Sequence, residues 1–385
     1  MSDRPAVLGG EPAFDTLLPV ARPVLPTVAE LSDAMDATLS SGLITNAGQV
    51  RAFEAEIADY LGVAHVVAVN SCTSALMLLL RCLGLSGPVV VPSFTFMASG
   101  HAVLWSGASV TFADCGPRTW TIDPDSAAAA GGGAVLATHT FGSPCDVRRL
   151  EDLGVPVVLD AAHGFGGRYP DGSMIGTKGI AEAFSLSPTK PLSTGEGGLV
   201  TTNDEALAAE LRIAREYGNP GSYNSVLVGL NGRMTETAAI LGRAGLAGFP
   251  HWIERRGRLA RRYLAALREV PGLSFQQIPD GAVSSYKDFT IHVTEEFGLT
   301  RTQLAECLHR DNVDTRGYFD PPLHRQTVYR DVPGAVPLPV TERLSAGLLT
   351  LPLHSQMEVD VVDRVCGAIR SIAEHATTVR DRLAA

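Results

Sequence analysis

Apolar positions follow two rhythms along the chain. After a Pro- and Gly-rich stretch over residues 1–26, which reads as an extended arm, they recur at helical spacing. Thr27-Val-Ala-Glu30 is a capping box, in which a hydroxyl and a carboxylate satisfy orphan amide donors, and it opens a helix to about residue 39. A loop of turn formers over 41–48 precedes a second amphipathic helix. Phe53, Ile57, Tyr60 and Leu61 share one of its faces, and Gly62 stops it.

The rhythm then changes to short apolar runs alternating with helical stretches. The runs lie at 66–69, 89–91, 110–112, 134–137, 155–159, 183–186 and 199–201. Continuous rather than alternating apolarity marks strands covered on both faces, so the pattern predicts an α/β domain around a mostly parallel seven-stranded sheet. Helices are expected at 74–83, 98–105 and 204–217, and Ala127 to Gly133 reads as a low-complexity surface linker. Two further helices, 236–246 and 252–267, would carry the chain into a smaller C-terminal α+β domain with a strand at 288–293 and helices at 302–309 and 359–374. The expected division is an N-terminal arm and large domain over 1–250 and a small domain over 251–385.

A chain of 385 residues with 45% hydrophobic and 19% charged residues suits a two-domain globular enzyme. Its net charge of −10 argues against a nucleic-acid partner, since phosphate neutralisation needs clustered Lys and Arg. No apolar run approaches a membrane span, and the N-terminus lacks the apolar core of a secretory signal. Six scattered cysteines without a C-x-x-C pair give neither a disulfide framework nor a metal pattern. A cytoplasmic protein with reduced thiols and no bound metal is expected.

The candidate chemistry sits where apolar runs end. The run over 155–159 stops at Asp160-Ala-Ala-His163, and the next leads into Ser185-Leu-Ser-Pro-Thr-Lys190 and a glycine-rich turn. A lysine before such a turn reads either as a solvated residue or as an amine with a task. An aspartate closing a buried strand is more telling, because a charge there must be paired or used. Pyridoxal phosphate (PLP) chemistry asks for this set: a lysine to hold the aldehyde as a Schiff base and a carboxylate to keep the pyridine nitrogen protonated. Asn70-Ser-Cys-Thr73-Ser74, between a strand and an apolar helix, is either a plain N-cap or a phosphate cradle. Phe94 and Phe96, after the next strand, are either core or an aromatic face for a flat ring. In an open α/β sheet, ligands sit outside the carboxyl ends of the strands, where all of these arrive.

In this order the chain resembles the DegT/StrS family of fold-type I, PLP-dependent sugar aminotransferases. The resemblance is carried by Asn70-Ser-Cys-Thr-Ser-Ala-Leu76, Pro92-Ser-Phe-Thr-Phe-Met-Ala98, Asp160-Ala-Ala-His-Gly164, Phe184-Ser-Leu-Ser-Pro-Thr-Lys190 with Gly195-Glu-Gly-Gly198, Gly229-Leu-Asn-Gly-Arg-Met234 and Tyr318-Phe-Asp-Pro-Pro-Leu-His324. It implies that Lys190 forms the Schiff base and shuttles the proton, and that Asp160 pairs with the pyridinium nitrogen. His163 would touch the ring hydroxyl, and Phe96 would stack on the ring. Thr73, Ser185 and the Cys72 backbone would hold the phosphate, and Asn231 would reach it from the neighbouring subunit of a homodimer with shared sites. Acceptor recognition is expected from 43–49, 217–232 and 316–324, with Tyr318, His324 and Arg233 as substrate ligands. One departure is Cys72, where the family usually has glycine; a cysteine fits there if its φ is negative.

The implied reaction moves an amino group from an amino acid, with glutamate expected, to a keto sugar. A dTDP-4-keto-6-deoxyhexose is favoured by the 318–324 segment, with a keto-cyclitol as the alternative suggested by Leu8-Gly-Gly-Glu-Pro12. Family dehydratases replace the lysine, which Lys190 argues against. A silent binding protein on this fold would leave the Asp160–Lys190 pair unexplained. A Rossmann oxidoreductase would need a G-x-G-x-x-G after the first strand, which is absent.

Overall fold

The computed structural model describes residues 4–334 and 336–384. Two helices, α1 (Val28–Ser41) and α2 (Gly48–Leu61), precede the large sheet. Its elements follow as β1 (His65–Val69), α3 (Cys72–Cys82), β2 (Val89–Pro92), α4 (Met97–Trp105), β3 (Val110–Ala113), α5 (Pro124–Ala130), β4 (Ala134–Thr138), α6 (Val147–Glu151), β5 (Val157–Asp160), β6 (Ala181–Ser185), β7 (Gly198–Thr202) and α7 (Glu205–Ala214). The long α8 (Glu236–Leu267) leads to β8 (Leu273–Phe275), β9 (Phe289–Val293), α9 (Arg301–Arg310), α10 (Pro339–Gly347), β10 (Leu348–Leu351), α11 (Val359–Glu374) and α12 (Ala376–Ala384).

All seven expected strands form one sheet in the order β1-β7-β6-β5-β4-β2-β3. The pairs among β3, β2, β4, β5 and β6 are parallel, whereas β7 runs antiparallel to both β6 and β1. Reversing β7 alone leaves the other six strands pointing one way, so their carboxyl ends share one edge. The register fixes that edge: Asp160 lies opposite Ala183 on β6 and Thr138 on β4, and Gly198 lies opposite Ser185 and Val69. Burial on both faces explains the unbroken apolarity of these strands; β2 through β5 are buried at every position. A second, antiparallel sheet orders β10-β9-β8.

Local rules account for the helix ends. Thr27 and Glu30 complete the capping box, with the Thr27 amide donating to the carboxylate at 2.7 Å. The N-terminus of α2 has no side-chain cap of its own, and Glu236 supplies one from α8: its carboxylate accepts from the amides of Ala47, Gln49 and Val50 at 2.8, 2.6 and 3.0 Å. This carboxylate, buried at the positive end of a helix, ties α8 to the loop before α2.

Two expectations about helices are corrected. The helices at 236–246 and 252–267 are one continuous 32-residue helix that runs through Pro250. Proline removes one intrahelical bond at a cost of about 3 kcal/mol. Burial on both sides of it offsets that cost, since Phe249 packs in the core of the large sheet while Leu259, Tyr263 and Leu267 pack in the core of the small one. The 127–133 stretch is not a linker: Ala127 to Ala130 end α5, and Ala127 is buried against the sheet. An alanine run is helical by default when capped, here by Asp123, whose carboxylate accepts from the Asp125 amide at 3.1 Å.

A division at 250/251 falls inside α8, one half of which serves each core. The N-terminal arm packs with the second core through Val7, Ala13 and Phe14. The Leu8 to Pro12 segment therefore lies among the C-terminal elements. Replacing Glu236 with alanine strands three amide donors at the start of α2, and a loss of about 2–4 kcal/mol is expected in urea unfolding, with Glu236→Gln intermediate. A loss under about 1 kcal/mol would show that the carboxylate does not cap this helix.

Candidate active site

The shared strand edge gathers residues from β1, β2, β5 and β6. Asp160 ends β5 with 3% of its surface exposed. Its carboxylate accepts from the Ser99 hydroxyl at 2.6 Å and from the Ala162 amide at 3.0 Å. Ser99, on α4, belongs to a buried hydroxyl chain: Thr95 Oγ1 lies 3.2 Å from Ser99 Oγ and 2.9 Å from Thr138 Oγ1. Among the described residues no cation lies within ion-pair distance of Asp160. A buried carboxyl oriented by two donors and lacking a counter-cation suits a protonated ring nitrogen as its third partner.

His163, three residues on, is buried, and its Nδ1 accepts the Phe141 amide at 3.2 Å. Burial, followed by the charges of Lys190 and Lys287, pushes its pKa well below the usual value. A neutral ring whose Nδ1 accepts carries its proton on Nε2, so His163 presents a donor. Phe141 stacks on the imidazole with centroids 6.3 Å apart and planes 11° apart.

Lys190 lies half-buried in the turn after β6, with its amide donating to the Ser187 carbonyl at 2.9 Å. Burial, then the charge of Lys287, lowers its pKa to about 8 against the opposing pull of Asp288, Cys72 and Asp160. Ser185, at the end of β6, is half-buried, and its hydroxyl oxygen accepts the Ser187 amide at 3.4 Å.

The turn after β1 is an N-cap. Ser71 is the N-cap of α3, its hydroxyl oxygen accepting the Ser74 amide at 3.1 Å, so the helix begins at Cys72 rather than at 74. Cys72 occupies the first helical position and is not among the residues with positive φ, which answers the concern raised by its replacing glycine. Its thiol is buried, and burial together with Asp160 holds its pKa well above the usual value, so it is an inert side chain beside usable amides. The Cys72 and Thr73 amides open an 11-residue helix, where an anion is favoured by donors and dipole together. Gly198 brings β7 against this turn: a Cβ there would lie 2.4 Å from the Ser71 carbonyl carbon.

Phe96 precedes α4 and is 51% exposed, whereas Phe94 is fully buried against Phe141 and Phe319. Of the two aromatic candidates, only Phe96 has a free face. Asn231 and Arg233 flank the same turn. Asn70 Nδ2 donates to the Asn231 carbonyl at 2.8 Å, and Val69 bridges to Arg233. The Asn231 residue is exposed, and Arg233 pairs with Glu216 at 2.9 Å and lies over the Tyr217 ring. Glu216 also receives the Asn46 amide nitrogen, so the 43–49 and 217–232 segments meet.

The 316–324 segment arrives from the other side. Tyr318 tilts against Phe141 with centroids 6.5 Å apart. Both ring nitrogens of His324 are engaged, Nδ1 with Ser93 Oγ at 2.6 Å and Nε2 with Glu342 at 2.8 Å. His324 thus fastens this segment to the end of β2. Two contributors were not evident in the sequence. Ser99 lies in the first turn of an apolar helix, and the Lys287–Asp288 pair lies about 100 residues beyond Lys190, where the sequence reads only as the beginning of a strand.

Comparison with known proteins identifies the family. Residues 27–370 match the DegT/DnrJ/EryC1/StrS aminotransferase family. The chain is 35% identical to the dTDP-3-amino-3,4,6-trideoxy-alpha-D-glucose transaminase of Streptomyces venezuelae, over 90% of this chain and 93% of that protein. It is 33% identical to the spore coat polysaccharide biosynthesis protein SpsC of Bacillus subtilis, covering 88% and 93%. Its fold superposes on the crystal structure of DesI, determined in the presence of its TDP-sugar product, with a TM-score of 0.93, 35% identity and full coverage of both chains. The family match, the relatives and the strand-end constellation converge: this chain belongs to the DegT/DnrJ/EryC1/StrS family and is a PLP-dependent sugar aminotransferase.

Proposed function

We propose that the chain moves an amino group from an amino acid, L-glutamate first among them, to the 4-keto group of a dTDP-4-keto-6-deoxyhexose in deoxyaminosugar biosynthesis. The observation that carries this reading is the end-to-end similarity to DesI, whose structure was determined with a TDP-sugar product. A dTDP-4-amino-4,6-dideoxy-D-glucose transaminase of Escherichia coli, 27% identical over 91% of this chain, supports the same acceptor class. The 35% identical S. venezuelae relative is named for a 3-amino sugar, so position 3 is the competing site of transfer. The cyclitol alternative rests on the Leu8 to Pro12 segment, which packs with the second core.

Bound PLP supplies an electron sink for the charge that develops at the donor α-carbon. The chain's own residues would do the rest. Asp160, aligned by Ser99 and the Ala162 amide, would keep the pyridine nitrogen protonated. His163 would donate from Nε2 to the ring hydroxyl, and Phe96 would offer its free face to the ring. The Cys72 and Thr73 amides with the Thr73 and Ser185 hydroxyls would hold the phosphate. Lys190, with a pKa near 8, is available both as a nucleophile and as a proton carrier close to neutral pH. Arg233 and Tyr318, on opposite sides, would meet the acceptor.

The chain would act as a homodimer. Leu43, Ile44, Met97, Tyr217 and Tyr223 are exposed hydrophobics on segments that border the site, and Asn231 lies exposed among them. A second copy covering this face would let Asn231 reach the neighbour's phosphate.

Lys190→Ala should fold normally and lose at least about 10³-fold in turnover. Wild-type protein should lose its visible absorbance on addition of glutamate and regain it with a dTDP-4-keto-6-deoxyhexose. Recovery only with a 3-keto sugar or a keto-cyclitol would replace the proposed acceptor. Ser99→Ala should weaken PLP binding about tenfold, the worth of one hydrogen bond to a carboxylate, and an unchanged titration of cofactor-free protein would exclude that role. Mixing inactive Lys190→Ala and Asn231→Ala proteins should restore about a quarter of wild-type activity if sites are shared between subunits, and none if they are not.

A further inference from the structure

We propose that His139, buried under the strand edge between Glu182 and Tyr169, is a positioning residue for His163: it closes the 139–145 loop so that the Phe141 amide holds His163 in the tautomer that donates from Nε2. The consequence for the cofactor rests on His163 being the residue that meets the PLP ring hydroxyl.

His139 follows β4 and belongs to a buried polar cluster that the proposed chemistry leaves unused. Its side chain and that of Glu182 are both 0% exposed, and Tyr169 is buried beside them. Glu182 Oε1 accepts the Tyr169 hydroxyl and the Lys178 amide, each at 2.9 Å, and Oε2 lies 3.2 Å from His139 Nε2. The Tyr169 hydroxyl lies 3.0 Å from the same ring nitrogen. On the other side of the ring, Nδ1 accepts the Cys145 amide at 3.1 Å. Every polar atom of the three side chains thus has a partner. A carboxylate this deep in an apolar core is unfavourable unless fully bonded, and a fully bonded network specifies one geometry.

That geometry leads to His163 through direct contacts. The His139 amide donates to the Asp160 carbonyl at 3.1 Å, and the His139 carbonyl accepts the Gly142 amide at 3.0 Å. With Nδ1 holding the Cys145 amide, the first residue of the loop is bonded to its last. Between them Phe141 has φ +58, a conformation that costs energy for a bulky residue and persists only where its surroundings enforce it. From that position the Phe141 amide donates to His163 Nδ1 at 3.2 Å, and the Phe141 ring stacks on the imidazole. The His139 ring also packs beneath the turn that carries His163: a Cβ on Gly164 would lie 3.3 Å from His139 Cδ2.

Which nitrogen of a neutral imidazole carries the proton is set by the bond that the other makes. An amide directed at Nδ1 leaves the proton of His163 on Nε2. Without that amide the two tautomers mix, and His163 presents its donor only part of the time.

Two substitutions separate this role from simple packing. His139→Asn puts an oxygen in the place of Nδ1 and can still accept the Cys145 amide, whereas His139→Phe keeps the ring and has no acceptor. In the full-length chain carrying isotopically labelled histidine, solid-state nitrogen NMR at neutral pH reports which His163 nitrogen is protonated. The signals are assigned by their loss in His163→Asn. Wild type and His139→Asn should show the proton on Nε2 alone. His139→Phe should show both tautomers, and PLP titration should give binding about tenfold weaker, the worth of one hydrogen bond. The double variant H139F/E182Q, which leaves no buried carboxylate without its imidazole, should behave in the same way and is decisive if His139→Phe folds poorly. A proton still confined to Nε2 in the double variant would overturn the proposal and reduce the cluster to a structural one. Mixed tautomers in His139→Asn would overturn it too, because loss of the ring rather than of the loop closure would then be the cause. Mixed tautomers in the double variant with unchanged PLP affinity would instead remove His163 from the ring hydroxyl and overturn the reading beneath the proposal.

Discussion

Asp160 is a buried carboxyl with two fixed donors and, among the described residues, no cation within ion-pair distance, and much of the site's architecture follows from how it is held. An unpaired acid at the end of a buried strand is unfavourable unless something positive completes it. The fold prepares for that partner. Ser99 turns one oxygen, the Ala162 amide turns the other, and the Thr138–Thr95–Ser99 chain keeps the serine hydroxyl directed at the carboxylate. Most of those groups come from different elements of the large sheet, and they meet because six strands point the same way. The reversal of β7 is what permits this, since it returns the chain after the Lys190 turn without displacing β1 and its helix from the shared edge.

The electrostatics of that edge separate three groups that a lone pocket would leave alike. Lys190 is pushed towards neutrality, His163 is held neutral, and Cys72 is kept as a thiol. Burial is the first cause in each case, but the second cause differs. For the lysine and the histidine it is another ammonium, and for the cysteine it is the Asp160 carboxylate. A site composed in this way would have a nucleophilic amine, a hydrogen-bond donor and an inert wall, each set by its neighbours rather than by its own residue type.

The strands, and the placement of Asp160 and Lys190 at or just after their ends, were legible in the sequence for a simple reason. A strand buried on both faces writes an unbroken apolar run, and a charge at its end stands out against it. The misreadings arose where a local rule was overridden by distant packing. Pro250 marks a helix end by local rules, yet burial against two cores carries α8 past it. The alanine run before Gly131 looked featureless because a short helix that buries only small side chains writes no periodic pattern. Ser99 left no signal at all: it acts through Asp160, 61 residues away in the chain, and it sits in a segment whose local pattern is satisfied without it.

The segments that border the site differ in how they are held, and this suggests a division of labour. The 316–324 segment is fastened by His324 to Ser93 and Glu342, and α10 behind it is anchored by Asp114, whose carboxylate accepts the Val340 and Thr341 amides at 2.9 and 2.7 Å. The 217–232 segment is tied mainly at its ends, by Glu216 and Asn231, while Tyr223 and Val226 between them stand in solvent. A rigid wall beside a segment with an exposed apolar middle would suit the proposed homodimer, in which one side holds its geometry before any ligand arrives and the other is covered by a second copy. In that arrangement the exposed middle would be the surface through which each chain completes its neighbour's site.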